Sequence, residues 1–64
     1  MLIVRKINPV EAEKIILSRK PLGKFMFREN GRYTAIDNTH GDAWTESFSC
    51  MQSCMSWLKG KMDL

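Results

Sequence analysis

The sequence predicts an α+β fold with the element order β-α-β-β-β-α, in which two helices pack on one face of an antiparallel sheet of three or four strands. Three observations lead to this prediction: a β-prone run followed directly by a helix-capping sequence, an Asn-Gly pair between two further β-prone runs, and a C-terminal segment with helical spacing of its apolar residues. The chain has 64 residues, which is the size of a single domain. We therefore treat residues 1–64 as one domain.

The first two elements are a short strand and a helix. Residues 2–7 are rich in β-branched side chains and end at an Asn-Pro pair, which predicts a strand. Asn8 can cap a helix, Pro9 suits its first position because no N–H is needed there, and Glu11 can bond back to the cap. The helix is expected to end at about residues 18–20, because a proline follows.

The next two strands form a hairpin. Asn30 and Gly31 separate residues 23–28 from residues 32–37, and this pair predicts a type I′ turn because both central positions need positive φ. The turn sets a register of Arg28 with Tyr33, Phe27 with Thr34, Met26 with Ala35 and Phe25 with Ile36. Apolar residues therefore occur on both faces of the hairpin.

A turn at residues 38–41 leads to the last strand, at about residues 42–48. With a four-residue loop, Trp44 joins Tyr33 on the sheet face that the helices leave open. A one-residue bulge, which Gly41 would accommodate, sends Trp44 into the core instead. The sequence is consistent with both placements of this tryptophan.

The last element is a second helix. Ser49, with Gln52 three residues later, predicts a capping box, and Gly60 suits the C-terminal end. The apolar side of this helix consists of Cys50, Met51, Cys54, Met55, Trp57 and Leu58. Cys50 and Cys54 lie one turn apart on that side, so we expect buried thiols rather than a disulfide or a metal site.

No residue pattern indicates catalysis. His40 lies beside Asp42 in a turn, without the nucleophile motif or oxyanion hole that a hydrolase needs. A metal site on Cys50 and Cys54 would need two further ligands, whereas the chain has one His and no other Cys. The glycines are scattered and form no phosphate-binding loop. We therefore expect a protein that is not an enzyme, with no cofactor, no metal and no small-molecule substrate.

The apolar segments are too short for membrane insertion. None approaches the ~18–20 residues of a membrane span, and the first four residues lack both the length and the preceding basic stretch of a signal peptide. We therefore expect a cytoplasmic protein that does not contact a membrane.

Positive charge is concentrated in the first half of the chain. Residues 1–32 contain eight Lys or Arg against three Glu, a balance of +5, whereas residues 33–64 contain two Lys against four Asp or Glu, a balance of −2. Such asymmetry favours an acidic partner, nucleic acid included. A solvated basic surface is the alternative explanation.

Two apolar features predict an interaction surface. One is the open sheet face, since an apolar patch on so small a domain is typical of a binding site. The other is the side of the first helix that points away from its core residues, which needs cover from a strand, a partner or a second copy. A frayed, loosely packed helix is the alternative explanation. The candidate interaction residues are Met26, Arg28, Tyr33, Trp44, Val10 and Leu17.

These features support two functional hypotheses. The first is a small protein-interaction module that binds a protein partner or forms a homodimer. The alternative is a nucleic-acid-binding domain in which Tyr33 and Trp44 on the open sheet face stack on bases. The candidate phosphate contacts in that case are Arg5, Lys24, Arg28 and Arg32.

Residues 21–60 also carry a recognisable pattern. Its parts are Pro21-x-Gly23-x-Phe25, then a run from Tyr33 to Phe48 that contains Asp-Asn-x-x-Gly-Asp-Ala-Trp-Thr-Glu-x-Phe, then Cys54-x-x-Trp57-Leu58. The pattern resembles that of short uncharacterised proteins of Gram-positive gut bacteria and their prophages. The resemblance implies a cytoplasmic setting and mobile-element cargo, in which very small proteins often act by binding a host protein. It implies no particular activity.

Overall fold

The computed structural model describes residues 3–60. Its elements are β1 (Val4–Lys6), α1 (Pro9–Ser18), β2 (Gly23–Glu29), β3 (Arg32–Asn38), β4 (Trp44–Phe48) and α2 (Met51–Leu58). The strands form one sheet in the order β1-β2-β3-β4, in which β1 is parallel to β2 and the other neighbours are antiparallel. The α+β class and the order β-α-β-β-β-α are confirmed. The sheet is mixed rather than antiparallel throughout as predicted, because α1 returns the chain to the same end of the sheet before β2 begins.

The start of α1 follows the predicted capping chemistry. The Asn8 side-chain Oδ1 accepts a hydrogen bond from the Glu11 backbone N–H at 2.8 Å. The Asn8 N–H donates to Glu11 Oε1 at 3.2 Å, and Pro9 occupies the first turn. The helix ends where Arg19 adopts a left-handed conformation with φ 62°.

The β2–β3 hairpin also has its predicted turn and register. Asn30 and Gly31 have φ values of 54° and 76°, as a type I′ turn requires. Arg28 pairs with Tyr33, and Phe25 pairs with Ile36. The side chains of each strand therefore alternate between two apolar faces, as the sequence predicts.

The two helices pack on opposite faces of the sheet, which corrects the expectation that both lie on one face. On one face, Ala12 and Ile15 of α1 form a buried cluster with residues from β2 and β3. On the other face, Cys54 and Leu58 of α2 cover Met26 and its cross-strand neighbours. We call these clusters the α1 half-core and the α2 half-core. Each apolar face of the hairpin needs its own cover, and one helix supplies it for each.

The register of β4 differs from both placements expected for Trp44. Trp44 lies opposite Asp37, and Phe48 lies opposite Tyr33. The loop between β3 and β4 is two residues longer than the four-residue loop considered from the sequence. The pairing of β4 with β3 is therefore displaced by two residues, and a displacement by an even number leaves each side chain on the same face of the sheet. Trp44 therefore shares a face with Tyr33, but that face is covered by α2, and Trp44 lies at its uncovered end with 66% of its surface exposed.

The start of α2 corrects the predicted cap. Cys50, not Ser49, is the N-cap residue, and it makes no side-chain bond to the helix backbone. Cys50 is also exposed, whereas Cys54 is buried, so only one of the two thiols is a core residue. Within residues 3–60, neither helix is long and apolar enough to cross a membrane.

Candidate functional site

The predicted interaction residues of the sheet do not form one open surface. Met26 is only 3% exposed because α2 covers it, so it belongs to the core and not to a surface. Tyr33 and Trp44 lie at opposite ends of this face, since Trp44 pairs with Asp37, four residues further along β3. That separation corresponds to about 13 Å along the strand. The two rings therefore cannot act as a single stacking platform.

The predicted residues of α1, by contrast, are both exposed. Val10 and Leu17 are 64% and 77% exposed. They lie seven residues apart, which places them on the same stripe of the helix. Ala12 and Ile15 lie in the α1 half-core, so the stripe that contains Val10 and Leu17 is on the side of α1 that points away from this half-core.

A groove of about 370 Å³ runs beside this stripe, between α1 and β2. We call it the α1 groove; its main apolar lining residues are Val10, Ile16, Leu17 and Phe27. The charged residues among its described lining are Glu13 and Glu29. The α1 groove is therefore apolar with an acidic margin, on a chain whose net charge is +3.

Two of the four predicted phosphate contacts are engaged with the protein itself. Lys24 donates from Nζ to the Leu58 carbonyl oxygen at 2.6 Å, which places its ammonium group at the negative end of α2. Arg32 donates from Nε to the Ser47 hydroxyl oxygen at 2.9 Å. Both side chains therefore hold neighbouring elements together.

The other two predicted phosphate contacts lie over aromatic rings. The Arg5 guanidinium lies 5.8 Å from the centre of the Phe25 ring, on the α1 side of the sheet. The Arg28 guanidinium lies 5.7 Å from the centre of the Tyr33 ring, on the α2 side. The four basic residues are thus divided between two faces, and they do not form the single phosphate-binding surface that the nucleic-acid hypothesis requires.

A second cleft, of about 360 Å³, lies at the end of the sheet where β1 and β2 finish. We call it the Tyr33 cleft; its lining residues include Lys6, Met26, Phe27, Arg28, Tyr33 and Met51. Sequence reasoning identified Met26, Arg28 and Tyr33 but missed Lys6 and Met51. Lys6 could have been found from a parallel β1–β2 pairing, which places it beside Met26. Met51 reaches the cleft only because α2 covers this face.

A third cleft, of about 540 Å³, surrounds Trp44 at the opposite end of the same face. It contains both acidic and basic side chains, including Asp37 and Lys59. Burial raises the pKa of Asp37, but hydrogen bonds from Thr39 and the positive charges of Lys24 and His40 outweigh it, so this pKa lies below its ordinary value. The carboxylate is therefore ionised at neutral pH and acts as a hydrogen-bond acceptor.

The two thiols differ in their chemistry. A hydrogen bond with the Ser53 hydroxyl, at 3.2 Å from Cys50 Sγ, lowers the pKa of the exposed Cys50 thiol. Burial raises the pKa of the Cys54 thiol. Among residues 3–60, no group of three or more His, Cys, Asp or Glu side chains is placed to hold a metal ion.

Comparison of the chain with models of protein families, with curated proteins and with solved structures gives no significant match.

Proposed function

We propose that the chain is a small, non-catalytic protein-interaction module that binds a partner protein through the α1 groove. The supporting observation is the exposure of Val10 and Leu17 beside a groove lined by Ile16 and Phe27. Large apolar side chains in contact with water have an unfavourable free energy that a partner's apolar surface removes. A continuous apolar groove with polar margins is typical of a protein-binding site.

The lining of the groove indicates the chemistry of the partner. Apolar side chains of the partner would fill the space beside Leu17, and Lys or Arg side chains would face Glu13 and Glu29. An amphipathic helix with a basic margin meets both requirements. A second copy would bring the same two carboxylates to the groove, so charge favours a different protein over a homodimer.

The proposed biological role is modulation of a host component by a mobile-element protein. The resemblance to prophage-borne proteins supports this role, since it implies a small cargo protein that acts by binding. Because the proposed interaction requires only contact, it uses no catalytic group.

The groove can be tested with a pair of substitutions that keep the helix intact. Val10→Gln with Leu17→Gln removes the exposed apolar stripe while retaining residues that are compatible with a helix. A tagged chain carrying both changes should lose its specific partner from a bacterial lysate. Loss of two buried apolar contacts corresponds to a decrease in affinity of about tenfold or more.

A matched control is Leu22→Gln, which changes another exposed leucine that does not line the groove. Far-UV circular dichroism verifies that all variants keep their helices. The proposal requires a protein that the wild type and Leu22→Gln retain and the double variant does not. Retention of the same proteins by all three chains would contradict a role for the α1 groove.

A further inference from the structure

The Tyr33 cleft contains two positively charged side chains. Among its described lining residues, Lys6 and Arg28 are charged and both are cationic. Lys6 pairs with Met26, and Arg28 lies two residues further along β2, so both side chains project from the same face of the sheet. Both residues are exposed. The cleft therefore favours an anionic ligand.

The cleft also offers a surface on which a flat ring can stack. The Arg28 guanidinium lies 5.7 Å from the centre of the Tyr33 ring. Tyr33 is half-buried against the α2 half-core, which limits the motion of its ring. Arginine planes and tyrosine rings are the groups on which nucleobases stack in proteins.

The remaining lining residues are apolar apart from Asn8, whose side chain caps α1. Met26 and Met51 are among these apolar residues. Thioether side chains adapt to the edges of a planar ligand. The volume of about 360 Å³ falls within the range of small-ligand sites.

From these observations we propose that the Tyr33 cleft binds a nucleoside phosphate. The base stacks on the Arg28–Tyr33 pair, and the Lys6 ammonium group binds the phosphate. Lys6 thus provides affinity for the anion and Arg28 provides affinity for the ring. Pro9 and Phe27 line both this cleft and the α1 groove, but the proposed ligand contacts, Lys6, Arg28 and Tyr33, do not line the α1 groove.

The test is a ¹⁵N-edited NMR titration of the wild-type chain with AMP, adenosine and inorganic phosphate, each at up to millimolar concentration. AMP should bind more tightly than either fragment, with shift changes centred on Lys6, Arg28 and Tyr33. No shift changes with AMP, or changes centred away from these residues, would overturn the proposal. Phenyl phosphate that binds as tightly as AMP would overturn the assignment of a nucleoside.

Two substitutions separate the roles of the cationic residues. Lys6→Gln should weaken AMP binding by about fivefold or more and leave adenosine binding unchanged, because only the phosphate contact is lost. Arg28→Lys keeps the charge and removes the planar stacking group, so it should weaken binding of AMP and adenosine but not of inorganic phosphate. Equal losses of AMP and inorganic phosphate binding in both variants would contradict these separate roles.

Two controls complete the experiment. Lys59→Gln removes one positive charge outside the cleft and should leave AMP binding unchanged; an equal loss would show that net charge alone attracts the nucleotide. The Val10→Gln, Leu17→Gln chain should bind AMP as the wild type does, which distinguishes this site from the proposed function. A 5′-phosphorylated single-stranded decamer shows whether the natural ligand is a free nucleotide or part of a nucleic-acid strand. Tighter binding of the decamer than of AMP, with a steep salt dependence, indicates a strand. Equal binding of the decamer and AMP indicates a free nucleotide.

Discussion

At the residue scale, Asn38 determines the shape of the loop between β3 and β4. Its side chain has no exposed surface, yet its amide is satisfied: Nδ2 donates to the Pro21 carbonyl oxygen at 2.8 Å, and Oδ1 accepts from the Ala43 N–H at 3.1 Å. These bonds hold a loop in which Gly41 and Ala43 both have positive φ. The loop therefore fixes Trp44 at the start of β4.

The carboxylate of Asp37, which precedes Asn38, makes the free energy of unfolding depend on pH. Thr39 donates to Asp37 Oδ1 from its hydroxyl at 2.6 Å and from its backbone N–H at 3.1 Å. The pKa of Asp37 in the folded state is consequently below its ordinary value of 3.8. A carboxyl group with a depressed pKa stabilises the fold fully above the ordinary value, and this contribution is lost as pH falls through the lower, folded-state value.

We therefore expect Thr39→Val, which removes the hydroxyl donor, to raise the pKa of Asp37 toward 3.8. NMR titration of the Asp37 carboxyl carbon measures the pKa in the wild type and in the variant. Urea midpoints should fall less steeply with acid in the Asp37→Asn chain than in the wild type, since that chain lacks the titrating group. A wild-type Asp37 that titrates at or above its ordinary pKa would contradict this account.

At the element scale, the parts of the fold that could be predicted are those fixed by contacts between residues close together in the sequence. The Asn8 capping box and the Asn30-Gly31 turn form as predicted because each uses local backbone chemistry. The N-cap of α2 could not be placed in the same way. Its position depends on where β4 ends, and β4 is set by a loop whose length the Asn38 hydrogen bonds determine.

The cap of α2 leads to a prediction about Cys50. This residue is the N-cap but makes no side-chain hydrogen bond to the helix backbone. Cys50→Ser places a hydroxyl oxygen where the first-turn N–H groups need an acceptor, so the free energy of unfolding should rise by about 0.5–1 kcal/mol. Urea denaturation monitored by circular dichroism measures this change.

The control for the cap is Ser49→Ala. Because Ser49 precedes the N-cap, its hydroxyl is not the cap acceptor and its removal should change stability by no more than about 0.5 kcal/mol. A loss of about 1 kcal/mol in Ser49→Ala, together with no gain in Cys50→Ser, would show that Ser49 caps the helix in solution.

At the scale of the whole molecule, the sheet separates two half-cores that have no side chain in common among residues 3–60. The sequence predicted apolar residues on both faces of the hairpin, but the prediction that both helices cover one face was wrong, because spacing along one helix contains no information about a distant strand. The same limit applies to the candidate sites. Helical spacing identified Val10 and Leu17, whereas the Tyr33 cleft needs α2 to bring Met51 beside Lys6.

The separation of the half-cores predicts additive stability changes across the sheet. Ile15→Val and Ile36→Val both alter the α1 half-core, whereas Cys54→Ala alters the α2 half-core. Each single substitution removes buried atoms and should cost about 1 kcal/mol. The Ile15→Val, Cys54→Ala double variant should lose the sum of the two single losses to within about 0.5 kcal/mol, because the two residues belong to separate clusters on opposite faces of the sheet.

The coupling energy between Ile15→Val and Ile36→Val should be larger than that between Ile15→Val and Cys54→Ala. Ile15 and Ile36 belong to one packed cluster, so both substitutions leave space that the same neighbours can fill. Urea denaturation of the three single and two double variants measures both coupling energies. Stronger coupling between Ile15 and Cys54 than between Ile15 and Ile36 would mean that the helices share one core, as two helices on a single face of the sheet would. Weak coupling across the sheet would instead show that the packing of the α1 half-core can be altered without disturbing the α2 half-core, against which Tyr33 packs.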